Sequence, residues 1–245
     1  MSAIQIGVAA LMMFLGCTAL SATGFGIGMV AMPGLLLVLE PQTAVVVLNT
    51  VAIAVEAWVV VQARKDIPFR DVLPIATAGA LGVPFAVYIL RFADPSIMRI
   101  GISALIIALA ATAAVNFQRD FPFSKVVGIL SGFGVGVVLP AFGVGGPLVT
   151  LYLLTRSWGR QSIRAAMAFY LLVLDVFGIA GYAVAGLYTA ERLNLIALMV
   201  IPMLLGLGLG SVILKMMSER VFRYAVVMLI VLSSLSVLVR EVASL

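Results

Sequence analysis

The chain contains no histidine among its 245 residues. That excludes His-ligated zinc, His-held haem and every Ser-His or Cys-His catalytic pair. It has one cysteine, Cys17, so no disulfide can form within the chain. Charge is scarce too: 10% of residues are Asp, Glu, Lys or Arg, where a soluble domain carries about 25%. No charged side chain precedes Glu40, and nothing between the apolar runs is long enough for a separate soluble domain. The net charge is +5, yet the Lys and Arg residues sit in short clusters between apolar spans. Such clusters orient a chain in a bilayer, and they point away from nucleic-acid binding.

What is abundant is apolar side chain, 64% of the residues with a mean hydropathy of +1.25. The composition predicts an all-α polytopic membrane protein with the lipid bilayer as its main surrounding. The segment Met1-Ser2-Ala3-Ile4-Gln5 has no basic residue and so lacks the positive region of a cleaved signal peptide. Residues 4–22 are therefore expected as a retained membrane helix. Cys17 within it reads as a small apolar packing residue.

Two runs of glycine ending in proline interrupt long uncharged stretches. The first is Thr23-Gly24-Phe25-Gly26-Ile27-Gly28, followed by Pro33; the second is Phe142-Gly143-Val144-Gly145-Gly146-Pro147. Glycine and proline suit an unbroken helix least. In hydrocarbon a broken helix survives only where protein or water covers its freed backbone groups. After the first run, residues 29–39 make a helix of roughly 16 Å at 1.5 Å per residue, too short to cross a core of about 30 Å. The expectation is a hairpin returning to its starting side. Residues 126–155 repeat the plan, with pieces on either side of 141–147 that are each too short to span.

Further spans are expected at 43–62, 72–90 and 97–117 in the first half, and at 165–184, 193–214 and 221–238 in the second. The halves align in the same order: Phe25-Gly26-Ile27-Gly28 with Phe142-Gly143-Val144-Gly145, and Leu81-Gly82 with Leu205-Gly206. The pattern predicts two structural repeats, residues 1–118 and 126–245, joined by a cytoplasmic linker at 119–125. Each repeat is a broken, re-entrant-type hairpin plus three transmembrane helices. Because each then crosses an odd number of times, the repeats are expected to be inverted. The loops at 63–71, 117–125, 155–164 and 215–223 hold most of the Lys and Arg residues. The positive-inside rule places them in the cytoplasm and both termini outside.

Two helices starting in mid-membrane present unpaired N–H groups and the positive ends of their dipoles. Their meeting would make an anion site without lysine or arginine. The candidate binding residues are Thr23, Gly24, Gly26, Gly28, Pro33, Gly143, Gly145, Gly146 and Pro147, with Asn49 adding amide donors. Ser21, Thr18 and Thr150 lie near enough in sequence to add hydroxyls. The bland alternative is that glycines simply let helices pack closely, as Gly206 and Gly210 suggest.

Glu56 and Asp175 fall inside spans and occupy equivalent positions when Gln42-Thr43 is aligned with Gln161-Ser162. A carboxyl group at that depth is normally paired, protonated or functional. Proton coupling is one reading of the two acids; hydrogen bonding that fixes helix packing is the other. The aromatic residues Trp58, Trp158, Tyr152, Tyr170, Tyr182 and Tyr188 read as interfacial anchors or packing.

The first glycine run with Pro33, the second with Leu148 after Pro147, and the basic loop after the second helix resemble the TauE/SafE sulfite-exporter family, also called the toluene-sulfonate uptake permease family. The likeness runs through essentially the whole chain. It departs where the family's three consecutive glycines are interrupted by Phe25 and Ile27. The resemblance implies a secondary transporter of sulfite, sulfonates or related sulfur-containing anions in the cytoplasmic membrane, with no cofactor and no metal. An anion channel, an uptake permease for another small organic anion and a non-transporting membrane subunit are the alternatives. An enzyme is not expected, since the spans hold no His and no Ser-Lys pair.

Overall fold

The computed structural model describes residues 2–23, 27–114, 125–153, 156, 158–216, 228, 234–239 and 241. Every element among them is helical: α1 (Ala3–Thr23), α2 (Ile27–Val38), α3 (Pro41–Ala63), a single 3-10 turn (Arg64–Asp66), α4 (Phe69–Phe92), α5 (Pro95–Ala114), α6 (Lys125–Phe142), α7 (Gly146–Leu153), α8 (Arg160–Val184) and α9 (Ala190–Met216). Gly24, Gly26, most of the linker at 119–125 and most of the expected last span at 221–238 lie outside the described residues.

Helix starts follow local chemistry. Ser2 and Gln5 form a reciprocal capping box at α1: the Ser2 amide donates to Gln5 Oε1 at 2.9 Å and the Gln5 amide to Ser2 Oγ at 3.3 Å. Pro41 opens α3, where its missing N–H costs nothing. Asp94 Oδ1 accepts the amides of Ser96 and Ile97 at the start of α5, and Thr189 Oγ1 accepts that of Arg192 in α9.

Five helices, α1, α3, α4, α8 and α9, are long and apolar enough to cross a membrane. The exterior agrees: Leu81, Phe85 and Tyr88 on α4 and Ile201, Leu204 and Leu205 on α9 are exposed. A helical protein that turns such side chains outward is solvated by lipid. The helices α2 and α7, with 12 and 8 residues, are the short ones. Each returns toward the start of its partner. Gln5 at the start of α1 donates to the Val38 carbonyl at the end of α2. Tyr152 near the end of α7 packs onto Gly128 near the start of α6.

The helix before the second break, α6, runs for 18 residues to Phe142, within the expected break at 141–147. That is roughly 27 Å at 1.5 Å per residue, close to a full crossing. Proline removes one donor and does not end the helix here.

The most extensive pairings are α4 with α6, α1 with α9, and α3 with α8. Small residues permit the first two. A Cβ on Gly82 of α4 would lie 2.7 Å from the Phe133 carbonyl of α6, and one on Gly206 of α9 would lie 2.5 Å from the Phe14 carbonyl of α1. Backbones that approach this closely gain dispersion contacts that lipid tails cannot supply. Cys17 is fully buried in the second of these contacts. The helices α3 and α8 form the central seam, walled by α2, α4, α6 and α9.

Candidate functional site

The second break has a defined geometry. Gly143 adopts φ 70°, the left-handed conformation that ends helices and that glycine takes at least cost. Its amide still donates to the Leu139 carbonyl at 2.8 Å, closing the last turn of α6. The Leu148 and Val149 amides both donate to the Gly145 carbonyl, at 3.1 and 3.3 Å, as α7 begins. Among the described residues, the amides of Val144, Gly145 and Gly146 donate to no backbone carbonyl. The first turn of α2, beginning at Ile27, starts beside them. Gly28 sits directly on the Gly143 carbonyl, so a side chain of any size at position 28 would overlap it. The first turn of α2 and the break that precedes α7 meet there.

They meet on the wall of a cavity of about 280 Å³, near the lower end of small-molecule sites. Its polar wall includes Gly28, Gly143, Gly145, Gly146, Asn49, Glu56 and Asp175, and its apolar wall includes Met29, Met167 and Leu171. The cavity runs from buried to exposed residues along the α3–α8 seam. Asn49 and Asp175 are each 2% exposed at its deep end. Trp58, Gln62 and Arg164 are exposed at its mouth. Pro33 is buried inside α2 and is not part of the wall. Pro147 is the second residue of α7. Thr23 ends α1, and Gly24 and Gly26 lie outside the described residues.

Glu56 on α3 and Asp175 on α8 come close to each other across the seam. Two carboxyl groups can hydrogen-bond each other only with a proton on one of them, since an ionised pair has only acceptors. Glu56 Oε2 and Asp175 Oδ1 are buried and have no hydrogen-bond partner among the described residues. A buried polar atom left unpaired is costly, and both atoms belong to side chains that line the cavity.

The expected side-chain donors are otherwise engaged. Asn49 Nδ2 donates to Tyr182 Oη at 2.9 Å and to the Leu139 carbonyl at 3.3 Å, which uses both of its amide hydrogens. Thr18 Oγ1 donates to the carbonyls of Phe14 and Gly206, a contact between α1 and α9. Thr150 Oγ1 bonds the Gly146 carbonyl and Met167 Sδ. Near the break the donors left are backbone amides, and Gln62 and Arg164 add side-chain donors at the mouth.

Beyond the deep end, the seam is tied by polar bonds. Tyr182 donates to the Pro140 carbonyl at 2.6 Å. The Tyr188 and Thr50 hydroxyls lie 2.8 Å apart. Arg192 donates to Thr43 Oγ1 at 3.0 Å, to Gln42 Oε1 at 3.2 Å and to the Leu187 carbonyl at 2.7 Å. Tyr182 and Tyr188 thus do more than anchor or pack. The sequence did carry a signal for Tyr182, which lies two helical turns from Asp175 on the same face of α8. Arg164, at the end of a span and next to an open cavity, carried none.

A family model described as sulfite exporter TauE/SafE matches residues 8–237. No curated protein and no solved structure matches the chain.

Proposed function

The chain belongs to the sulfite exporter TauE/SafE family, and on that premise we propose that it is a secondary transporter of small sulfur-containing anions, sulfite or an organosulfonate. The substrate is held in the cavity between the glycine breaks. One observation carries this reading: the break at 143–146, whose Val144–Gly146 amides donate to no backbone carbonyl among the described residues, and the first turn of α2 line one cavity. Oriented N–H groups and positive dipole ends favour an anion, and the one basic side chain on the lining, Arg164, stays exposed at the mouth. The neighbouring carboxyl groups of Glu56 and Asp175 on the same wall are the proton-coupling site. A shared proton leaves the pair with one negative charge, and a second neutralises it, which lowers its repulsion of a bound anion.

We read the architecture as two inverted repeats, 1–118 and 126–245, with 119–125 as a cytoplasmic linker. The pattern of contacts supports this. If α1, α2, α3 and α4 correspond to α6, α7, α8 and α9, the more extensive pairings between them have reciprocals: α1 with α9 and α6 with α4, α3 with α9 and α8 with α4. Equivalent residues of two such repeats touch only on the axis relating them, and Glu56 and Asp175 touch. With both termini outside the inner membrane, the mouth at Gln62 and Arg164 opens to the cytoplasm. A C-terminal reporter active only in the cytoplasm would overturn that orientation.

Counterflow of labelled sulfite in proteoliposomes tests the transport reading, because exchange of bound substrate is expected of a carrier and absent from a channel. Glu56→Gln and Asp175→Asn are each expected to retain counterflow and lose proton-driven accumulation. If both variants accumulate sulfite with the pH dependence of the wild type, the coupling assignment is wrong.

A further inference from the structure

Of the final carbonyls of α6, only Leu139 receives a backbone N–H from beyond the helix, that of Gly143, among the described residues. Two are met by side chains from the seam. Tyr182, fully buried on α8, donates to Pro140 at 2.6 Å. Asn49 on α3 donates to Leu139 at 3.3 Å and to the Tyr182 hydroxyl at 2.9 Å. The bonds form a directed chain from Asn49 through Tyr182 to Pro140, with a branch to Leu139. Every hydrogen is used, and the Tyr182 hydroxyl both accepts and donates. Gly143 follows Pro140 by three residues and touches Gly28. The placement of both helix N-termini therefore depends on where this clamp holds the end of α6.

We propose that Tyr182, acting through Asn49 and the end of α6, is a positioning residue for the anion site. It holds the Val144–Gly146 amides in line with the first turn of α2. Tyr182 is absent from the cavity wall, so it acts without touching substrate. The clamp also spans the two helices that carry Glu56 and Asp175, two turns further along the same seam. A shift of α3 against α8 at the carboxyl pair is thereby felt at the glycine break. The proposal rests on the reading of the cavity as the anion site.

Tyr182→Phe removes the donor to Pro140 and the acceptor for Asn49 while keeping the ring. In proteoliposomes, monodisperse Tyr182→Phe protein is expected to show a five- to tenfold higher KM for sulfite counterflow, with the maximal rate within twofold of wild type. Amides of 143–149 are expected to exchange with deuterium at least fivefold faster, with α9 unchanged. Thr50→Val removes the neighbouring bond to Tyr188 on the same seam and is expected to leave KM unchanged. A KM within twofold of wild type, or an equal rise in Thr50→Val, overturns the proposal. If Tyr182→Phe cannot be recovered folded, Asn49→Ser removes both amide donations and leaves Tyr182 on Pro140; the same rise is expected, and an unchanged KM refutes the clamp. A wild type that shows no sulfite counterflow defeats the transport reading instead. Hydrogen exchange then decides the positioning claim alone: unaltered exchange at 143–149 overturns it.

Discussion

The α3–α8 seam has two unlike ends. At one end Trp58, Gln62 and Arg164 stand exposed around the cavity mouth. At the other, Tyr182, Tyr188 and Arg192 join α8 and the start of α9 to α3 and α6 through bonds of 2.6–3.2 Å. Between them lie the glycine breaks and the carboxyl pair. A cavity open at one end and closed at the other is what alternating access requires of each end state of a transporter. The comparison teaches that the seal is polar and therefore reversible. Its hydroxyl, amide and guanidinium groups lose little when water replaces their partners, whereas an interlocked apolar plug would resist opening.

The largest effect is expected from closing the open end. In a Cys17→Ala background, Gln62→Cys and Arg164→Cys joined by a flexible bifunctional thiol reagent should abolish counterflow, with activity returning when a cleavable linker is reduced. Full activity of the cross-linked protein would show that substrate does not enter there. Between the ends, Gly28→Ala drives a methyl group into the Gly143 carbonyl. Overpacking of this kind costs about 1–3 kcal/mol, and separation of the two N-termini should remove sulfite-induced thermal stabilisation. Retained stabilisation would mean that the apposition is not needed for binding.

At the tied end, Arg192→Gln gives up three hydrogen bonds from a charged donor. A loss of about 1–2 kcal/mol in stability is expected. Faster modification of Thr43→Cys by a membrane-impermeant thiol reagent should accompany it, and unchanged labelling would show that the latch does not control access. The smallest effect belongs to Thr50→Val, which costs about 1 kcal/mol for one hydrogen bond and is measured as a lowered Tm. A change in substrate affinity from that variant would mean that the seal and the site are not separable.

Much of the secondary structure is legible locally. Ser2 with Gln5, Pro41, Asp94 and Thr189 mark helix starts because capping involves residues at most three apart. The break at 143–145 is legible for the same reason, since a left-handed residue at the end of α6 calls for glycine. The site is legible only in part. Glu56 and Asp175 stand out because a carboxyl group within an apolar run is costly wherever it folds. Asn49 stands out for the same reason, yet its task was not readable. Whether an amide faces substrate or a carbonyl depends on where α6 and α8 lie.

By itself the sequence determined a membrane solvent, a helical backbone and the places where helices break, because run length and glycine or proline conformation are properties of a few neighbouring residues. Tertiary structure alone decided that Gly28 meets Gly143, that Glu56 meets Asp175 and that the space between them opens at Arg164 and closes at Arg192. Each of these joins residues more than a hundred positions apart, except along α3 and α8 themselves. The physical reason is that helix packing in lipid is set by shape and backbone proximity across the whole bundle, which no local pattern encodes. The two glycine breaks are written in the chain; that they face one another is written only in the packing of α1 on α9 and α6 on α4.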